Sequence, residues 1–206
     1  MEKVLIANAL ELITEELNTF FGREEPEYRA NPPAVLSDLV DQKGEPAFTP
    51  SDPARDNVIV TLINIEEETI GKAQLPYLKN PDNSINNVNP EIKVNLYVLF
   101  SAFSNMSDKT RYSNCLNMIS YVILFFQYKH VFNRQNTPGL SEDIEKIIVE
   151  LISPTFEQQN HIWGALGAKF MPSVLYKLRM LVFREIEEGV TGPVIDKIKT
   201  EKVHKR

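Results

Sequence analysis

Residues 158–180 read QQNHIWGALGAKFMPSVLYKLRM and set His161 beside Gly164-Ala-Leu-Gly167 and the chain's single tryptophan. An imidazole there could act as a general base, and a glycine loop could cradle a phosphate. Either chemistry needs partners that the sequence does not supply. A Ser-His-Asp or Cys-His hydrolase requires a nucleophile on a sharp turn within reach of the base, and no G-x-S-x-G occurs. Cys115 falls in the most apolar window, Cys115 to Phe126, where a thiol is inert packing. His130, His161 and His204 are isolated from one another, with no H-x-x-x-H or C-x-x-C to seat a metal. The phosphate motifs G-x-x-x-x-G-K-[ST] and G-x-G-x-x-G are absent.

Gly164 to Gly167 does match the G-x-x-G that clamps nucleic-acid backbone in one RNA-binding module. It follows a short helical stretch, however, where glycines more simply supply helix-terminating backbone angles. The acidic runs Glu66-Glu67-Glu68 and Glu185 to Glu188 lie at strand ends and read as solvated charge. No catalytic residue, metal or cofactor is expected. What remains at the opening stretch is packing. Trp163 sits on a short helix with Phe156 and Leu166 on its face, Pro172 fixes the path into the last strand, and Tyr176 follows on that strand.

The elements around this corner follow from bulk properties and periodicity. A chain of 206 residues, 43% apolar and 24% charged, can bury a sizeable core without staples. One cysteine excludes an internal disulfide and fits folding in the reducing cytoplasm. MEKVLIANALELITEEL mixes acids among apolar positions, unlike a secretion signal. The Cys115–Phe126 window is too short to span a bilayer, so no membrane insertion is expected. Net charge is −6, but Lys197 to Arg206 carry five basic residues against Glu201, which leaves −10 on residues 1–196. An acidic body argues against nucleic acid as the partner, and the basic end reads as a solvated tail.

Apolar residues at helical spacing predict a helix over 3–21, stopped by Gly22. A proline-rich connection follows from Arg23 to Asp56, with Val35, Leu36 and Leu39 on the core or on a neighbouring subunit. Strands are predicted over Asn57–Glu66, Glu91–Phe103, Ile144–Ile152 and Ser173–Glu185. Thr69 to Pro90 forms a second long connection, rich in proline and asparagine. A helix from Tyr112 to Phe126 is apolar almost all round, which marks it as the buried centre. Ser153-Pro154-Thr155 starts a helix over Phe156–Ala165, with proline in its first turn. The expected fold is therefore α+β: a single domain with a four-stranded mixed or antiparallel sheet, about three helices and long loops.

The order N-L-Y-V-L at Asn95–Leu99, Tyr112 at a helix start, W-x-x-L at Trp163–Leu166 and P-S-V-L-Y-K-L-R-M at Pro172–Met180 resembles a known family. It is the cap, or tail-terminator, family of phage-tail-like contractile injection systems. V-T-L-I-N-I-E-E-E at Val60–Glu68 and the apolar N-terminal helix fit the same family, and the similarity spans about residues 1–195. Residues 1–195 are thus read as one cap-like domain and 196–206 as a basic tail.

The resemblance implies a structural, non-enzymatic protein. Such subunits form a six-fold ring on the end of the inner tube distal to the baseplate. There they stop tube and sheath polymerisation and anchor the last sheath ring. The implied partners are copies of itself, the inner tube protein, the sheath protein and possibly a further cap or plug protein. The implied setting is cytoplasmic synthesis followed by incorporation into a particle, with extracellular release left open. Trp163, Leu166, Pro172 and Tyr176 carry over as fold-defining positions. Gly189, Val190, Thr191, Gly192, Pro193, Val194 and Ile195 form an extended segment able to add a strand to a sheath sheet. A phage tail completion or adaptor protein is the alternative within the same class. A nucleic-acid-binding module and a small hydrolase are the alternatives from other classes.

Overall fold

Leu10, Ile13, Leu17, Phe20 and Phe21 recur at helical spacing and line the buried side of a helix, α1, from Leu5 to Glu24. The structure, a computed structural model, describes residues 5–47, 56–68, 77–79, 85–87, 92–104, 109–141 and 144–183. Gly22 does not stop α1, contrary to expectation. It is buried, and its missing side chain lets the chain fold back, since a Cβ there would meet Arg29 Cγ at 3.1 Å. Arg29 Nε donates to the Gly22 carbonyl at 2.7 Å, which closes the 3-10 turn Pro26–Arg29 against the helix end.

After α1 come β1 (Ala34–Leu36), β2 (Asp56–Glu67), β3 (Tyr77–Lys79), β4 (Ile85–Asn87) and β5 (Ile92–Ser104). Then follow α2 (Arg111–Tyr128), β6 (Val131–Asn133), β7 (Lys146–Ile152), α3 (Phe156–Leu166) and β8 (Ser173–Phe183). The chain forms two compact units, residues 1–68 with 93–182, and residues 69–92 with 183–206. In the second, β3 and β4 pair as a two-stranded antiparallel hairpin. The first unit carries the three α-helices and the main sheet.

That sheet has six strands in the order β1-β2-β5-β8-β7-β6, not the four expected. The four strands read from the sequence are the inner ones. The two missed, β1 and β6, have three residues each, too few to display a period of two. β1 runs parallel to β2, while β2–β5, β7–β8 and β6–β7 are antiparallel, so the sheet is mixed.

Alternation along the strands sends successive side chains to opposite faces. Phe100 and Tyr176 point to the α2 side, where their rings meet Phe126 at 5.2 and 4.4 Å between centroids. Leu99 and Leu175, one residue away on each strand, join Ile59, Leu39 and Trp163 in a second cluster under α3. Helices therefore cover both faces of the sheet.

α2 is not buried all round. Cys115, Met118, Val122, Phe125 and Phe126 face inward, but Tyr112, Leu116, Ile123, Leu124 and Tyr128 are exposed, Tyr128 at 72%. An all-round apolar pattern implies cover on every side only when something packs on the second side. Among the described residues, nothing buries that outer stripe.

Candidate functional site

The corner begins at Thr155, whose hydroxyl accepts the Gln158 N–H at 3.2 Å while Gln158 Oε1 accepts the Thr155 N–H at 2.9 Å. This reciprocal cap satisfies two backbone donors and places the start of α3 at Phe156. Pro154 lies before the cap, two positions ahead of the first helical residue, and not in the first turn as predicted. Of the two glycines in GALG, Gly164 is an ordinary helical residue and Gly167 ends the helix in the left-handed region, at φ 67°. The loop is thus a helix terminus, and only its second glycine is needed for the turn.

Trp163 is 7% exposed and packs edge-on to Phe170 at 5.5 Å, with Leu166 half-buried beside it. Phe156, expected on the same face, is instead 88% exposed. It occupies the first position of α3. The Pro172 carbonyl accepts the Ala102 N–H at 2.9 Å, which ties the corner to β5. Tyr176 is buried on the opposite face from Trp163, where burial pushes its phenol up to about 12. The four corner residues therefore split between the two cores, and Pro172 stands at the crossing. Gly189 to Ile195 lie outside the described residues, as do Glu185 to Glu188 and the boundary at 195.

Two larger clefts and a smaller one, lined by Ile162, Trp163 and Ser173 to Leu175, flank the corner. Of the larger two, one, about 630 Å³, lies between Leu39–Pro46, the end of β5, the first turn of α2 and Gly167–Pro172, with Cys115 on its wall. The other, about 550 Å³, runs between α3 and the sheet, with His161, Gln158, Asn64 and Tyr97 on an otherwise apolar lining. Among the described residues, no three His, Cys, Asp or Glu side chains stand close enough together to hold a metal ion.

Beyond α3 the same sheet face turns ionic. Glu66 on β2 accepts from Tyr97 Oη at 2.7 Å and from Lys177 Nζ at 3.0 Å. Those bonds, Tyr97's first and then Lys177's, hold its carboxyl below the ordinary value, and the same contact raises the Lys177 ammonium. Arg179 donates to Glu150 at 3.0 Å, which raises the guanidinium, and reaches Glu68 at 3.4 Å. Glu68 is only 9% exposed and also accepts from the buried Asn95 amide at 3.1 Å. The run Glu66–Glu68 is therefore not simply solvated, as the sequence suggested. With Glu66, Glu68 and Glu150 each facing a cation, this ionic row ties β2, β8 and β7 together. The legible signal was spacing: Glu66/Glu68 and Lys177/Arg179 are each two apart on strands, which places each pair on one face.

The Pvc16 N-terminal domain family matches residues 10–197. The chain belongs to it. Among solved structures, the fold is similar to a PVC sheath/tube terminator of an extracellular contractile injection system, captured in the extended state. The TM-score is 0.57 at 10% identity, covering 99% of this chain and 66% of that one. It is also similar to the tube-terminating cap of the anti-feeding prophage, with TM-score 0.56 at 13% identity over 92% of this chain and 60% of that one. At such identities the likeness is one of fold. This chain spans between three-fifths and two-thirds of the length of those chains. No match to a curated protein was found. The family resemblance carried by Asn95–Leu99, Trp163–Leu166 and Pro172–Met180 is borne out. No helix of the described residues is long and apolar enough to cross a membrane.

Proposed function

We propose that this chain is the cap subunit of a contractile injection system. It closes the distal end of the inner tube as a ring of identical copies, six by family resemblance. Tube and sheath polymerisation stop there, and the last sheath ring is anchored. The role is structural rather than enzymatic, and the particle is of the kind that acts outside the cell.

The observation that carries this reading is the fold, which matches a sheath/tube terminator over 99% of the chain. The exposed surface supports it. Large apolar side chains stand out on different elements: Tyr128 on α2, Leu151 on β7, Phe156 on α3 and Phe170 in the corner. A closed ring is built from two different patches per copy, and dispersed apolar sites of this kind suit such contacts. In this proposal Gly189 to Ile195 are the segment that contacts the sheath.

Imaging of particles made without this chain is the test. The expected result is tubes or sheaths of uncontrolled length, or particles that fall apart at the distal end. Truncation of Gly189–Arg206 alone should weaken sheath attachment more than ring formation. Normal lengths and intact distal ends in the full deletion would overturn the assignment.

A further inference from the structure

Among the described residues, the six-stranded sheet has two edges, β1 and β6, and the same device occurs at both. At β1 the Val58 N–H donates to Pro33 and the Ser37 N–H donates to Val60, at 2.9 and 3.1 Å. In a parallel ladder this turns the backbone of Pro33, Val35 and Ser37 toward β2 and that of Ala34 and Leu36 outward. The outward Ala34 N–H donates to Asn18 Oδ1 at 2.8 Å, and the Ala34 carbonyl accepts from Asn18 Nδ2 at 2.9 Å. One side-chain amide from α1 thus makes both bonds that a neighbouring strand would make there.

At β6 the Val149 N–H donates to His130 at 2.8 Å, so His130 and Phe132 face β7 while Val131 and Asn133 face outward. The Val131 carbonyl accepts from Asn136 Nδ2 at 2.8 Å, and the Asn133 N–H donates to Asn136 Oδ1 at 2.9 Å. The Asn133 carbonyl is taken by the Thr137 N–H at 2.8 Å. A carboxamide has the donor and acceptor of a peptide group, so asparagine can stand in for one residue of an absent strand. Exposed edges pair readily with other chains, and short edge strands are one natural remedy. Here both edge strands are short, and at each an asparagine side chain occupies outward groups: the Ala34 N–H and carbonyl on β1, and the Val131 carbonyl and Asn133 N–H on β6.

We infer that Asn18 and Asn136 are edge seals that keep this sheet from pairing through β1 or β6 with the sheet of a second copy. The partner excluded is thus a strand edge of this same chain. The inference stands on backbone geometry and not on the capping role, so either can fail alone. In a chain that ends a polymer, sealed edges would leave ring contacts to side chains and strand exchange to donated segments.

The test measures mass by sedimentation of the purified full chain over a range of concentrations. Asn136→Ala opens one edge, and two like edges pair as a closed unit, so the mass should rise about two-fold over wild type. Asn18→Ala should do the same through the other edge. The double variant opens two different edges on each copy and should grow into open-ended, β-rich chains. Hydrogen exchange on the wild-type protein is the second measurement, for the case that a variant fails to fold. The Ala34 and Asn133 amides should exchange slowly, like those of the inner ladder. Unchanged mass in folded variants, or exchange of both amides at the rate of open backbone, would overturn the inference.

Discussion

The two faces of the sheet grow from the same alternating strands, yet they carry different chemistry. Toward α1 and α2 the side chains are aromatic and dry. Phe100, Phe126 and Tyr176 meet edge-on or tilted at 4.4 to 5.8 Å, Phe125 meets Phe20 at 5.5 Å, and Phe132 closes the end. Toward α3 a smaller apolar cluster around Trp163 gives way to the ionic row of Glu66, Lys177, Arg179, Glu68 and Glu150. A long helix can roof a whole sheet face, whereas α3, with 11 residues, covers only part of one. The uncovered remainder is kept by paired charge, which tolerates water. The first face holds the fold together, and the second leaves polar and cleft-bearing surface that a neighbour can use.

The contrast is broken most directly by truncating one aromatic on each face. Phe126→Ala should cost roughly 5 kcal/mol, the upper end for a buried ring, because its neighbours are themselves rings that cannot collapse into the void. Trp163→Ala should cost about 3 kcal/mol, since clefts on both sides of α3 let the site relax. Urea unfolding of the two variants decides the order. A larger loss at Trp163 would make the α3 side the principal core and reverse the comparison.

The ionic row predicts a smaller effect that depends on pH. Glu66 is held below its ordinary value of 4.5, so its contribution is present above that pH and is lost as the pH falls below it. Lys177 and Arg179 are both shifted up from their ordinary values, so their contributions persist below those values and fade only in strong alkali. Glu66→Gln should therefore be less stable than wild type at neutral pH, with the gap narrowing as the pH is taken well below 4.5. Equal gaps at neutral and acid pH, in denaturant midpoints, would show that the row is only a solvated surface.

The smallest effect belongs to the residue that first suggested chemistry. His161 is exposed on α3, and His161→Ala should change stability by less than about 0.5 kcal/mol. Particle assembly should be unchanged. Loss of assembly by a folded variant would assign the cleft beside His161 a role in partner contact or chemistry.

Much of this was legible because it is local. The repeat of Leu10, Ile13 and Leu17 is enough to mark α1, and Val58–Val60 and Val94–Val98 mark β2 and β5 without reference to anything distant. The family was legible in the same way, through short motifs kept in order along the chain. Gly167 as a helix terminus and Trp163 as packing also followed from immediate neighbours.

Tertiary structure decided the rest. Whether Tyr128 and Leu124 are covered depends on what packs outside α2, and the helix pattern holds no record of that. Glu68 became a buried partner only because Asn95 and Arg179, 27 and 111 residues away in sequence, converge on it. β1 is held between β2 on one side and, at Ala34, the Asn18 amide that α1 brings from 16 residues earlier in the sequence. Periodicity is set by the geometry of a single element and can be read along the chain. Cover, pairing and edge closure are set by which elements meet, and that is fixed only when the whole chain has closed around its core.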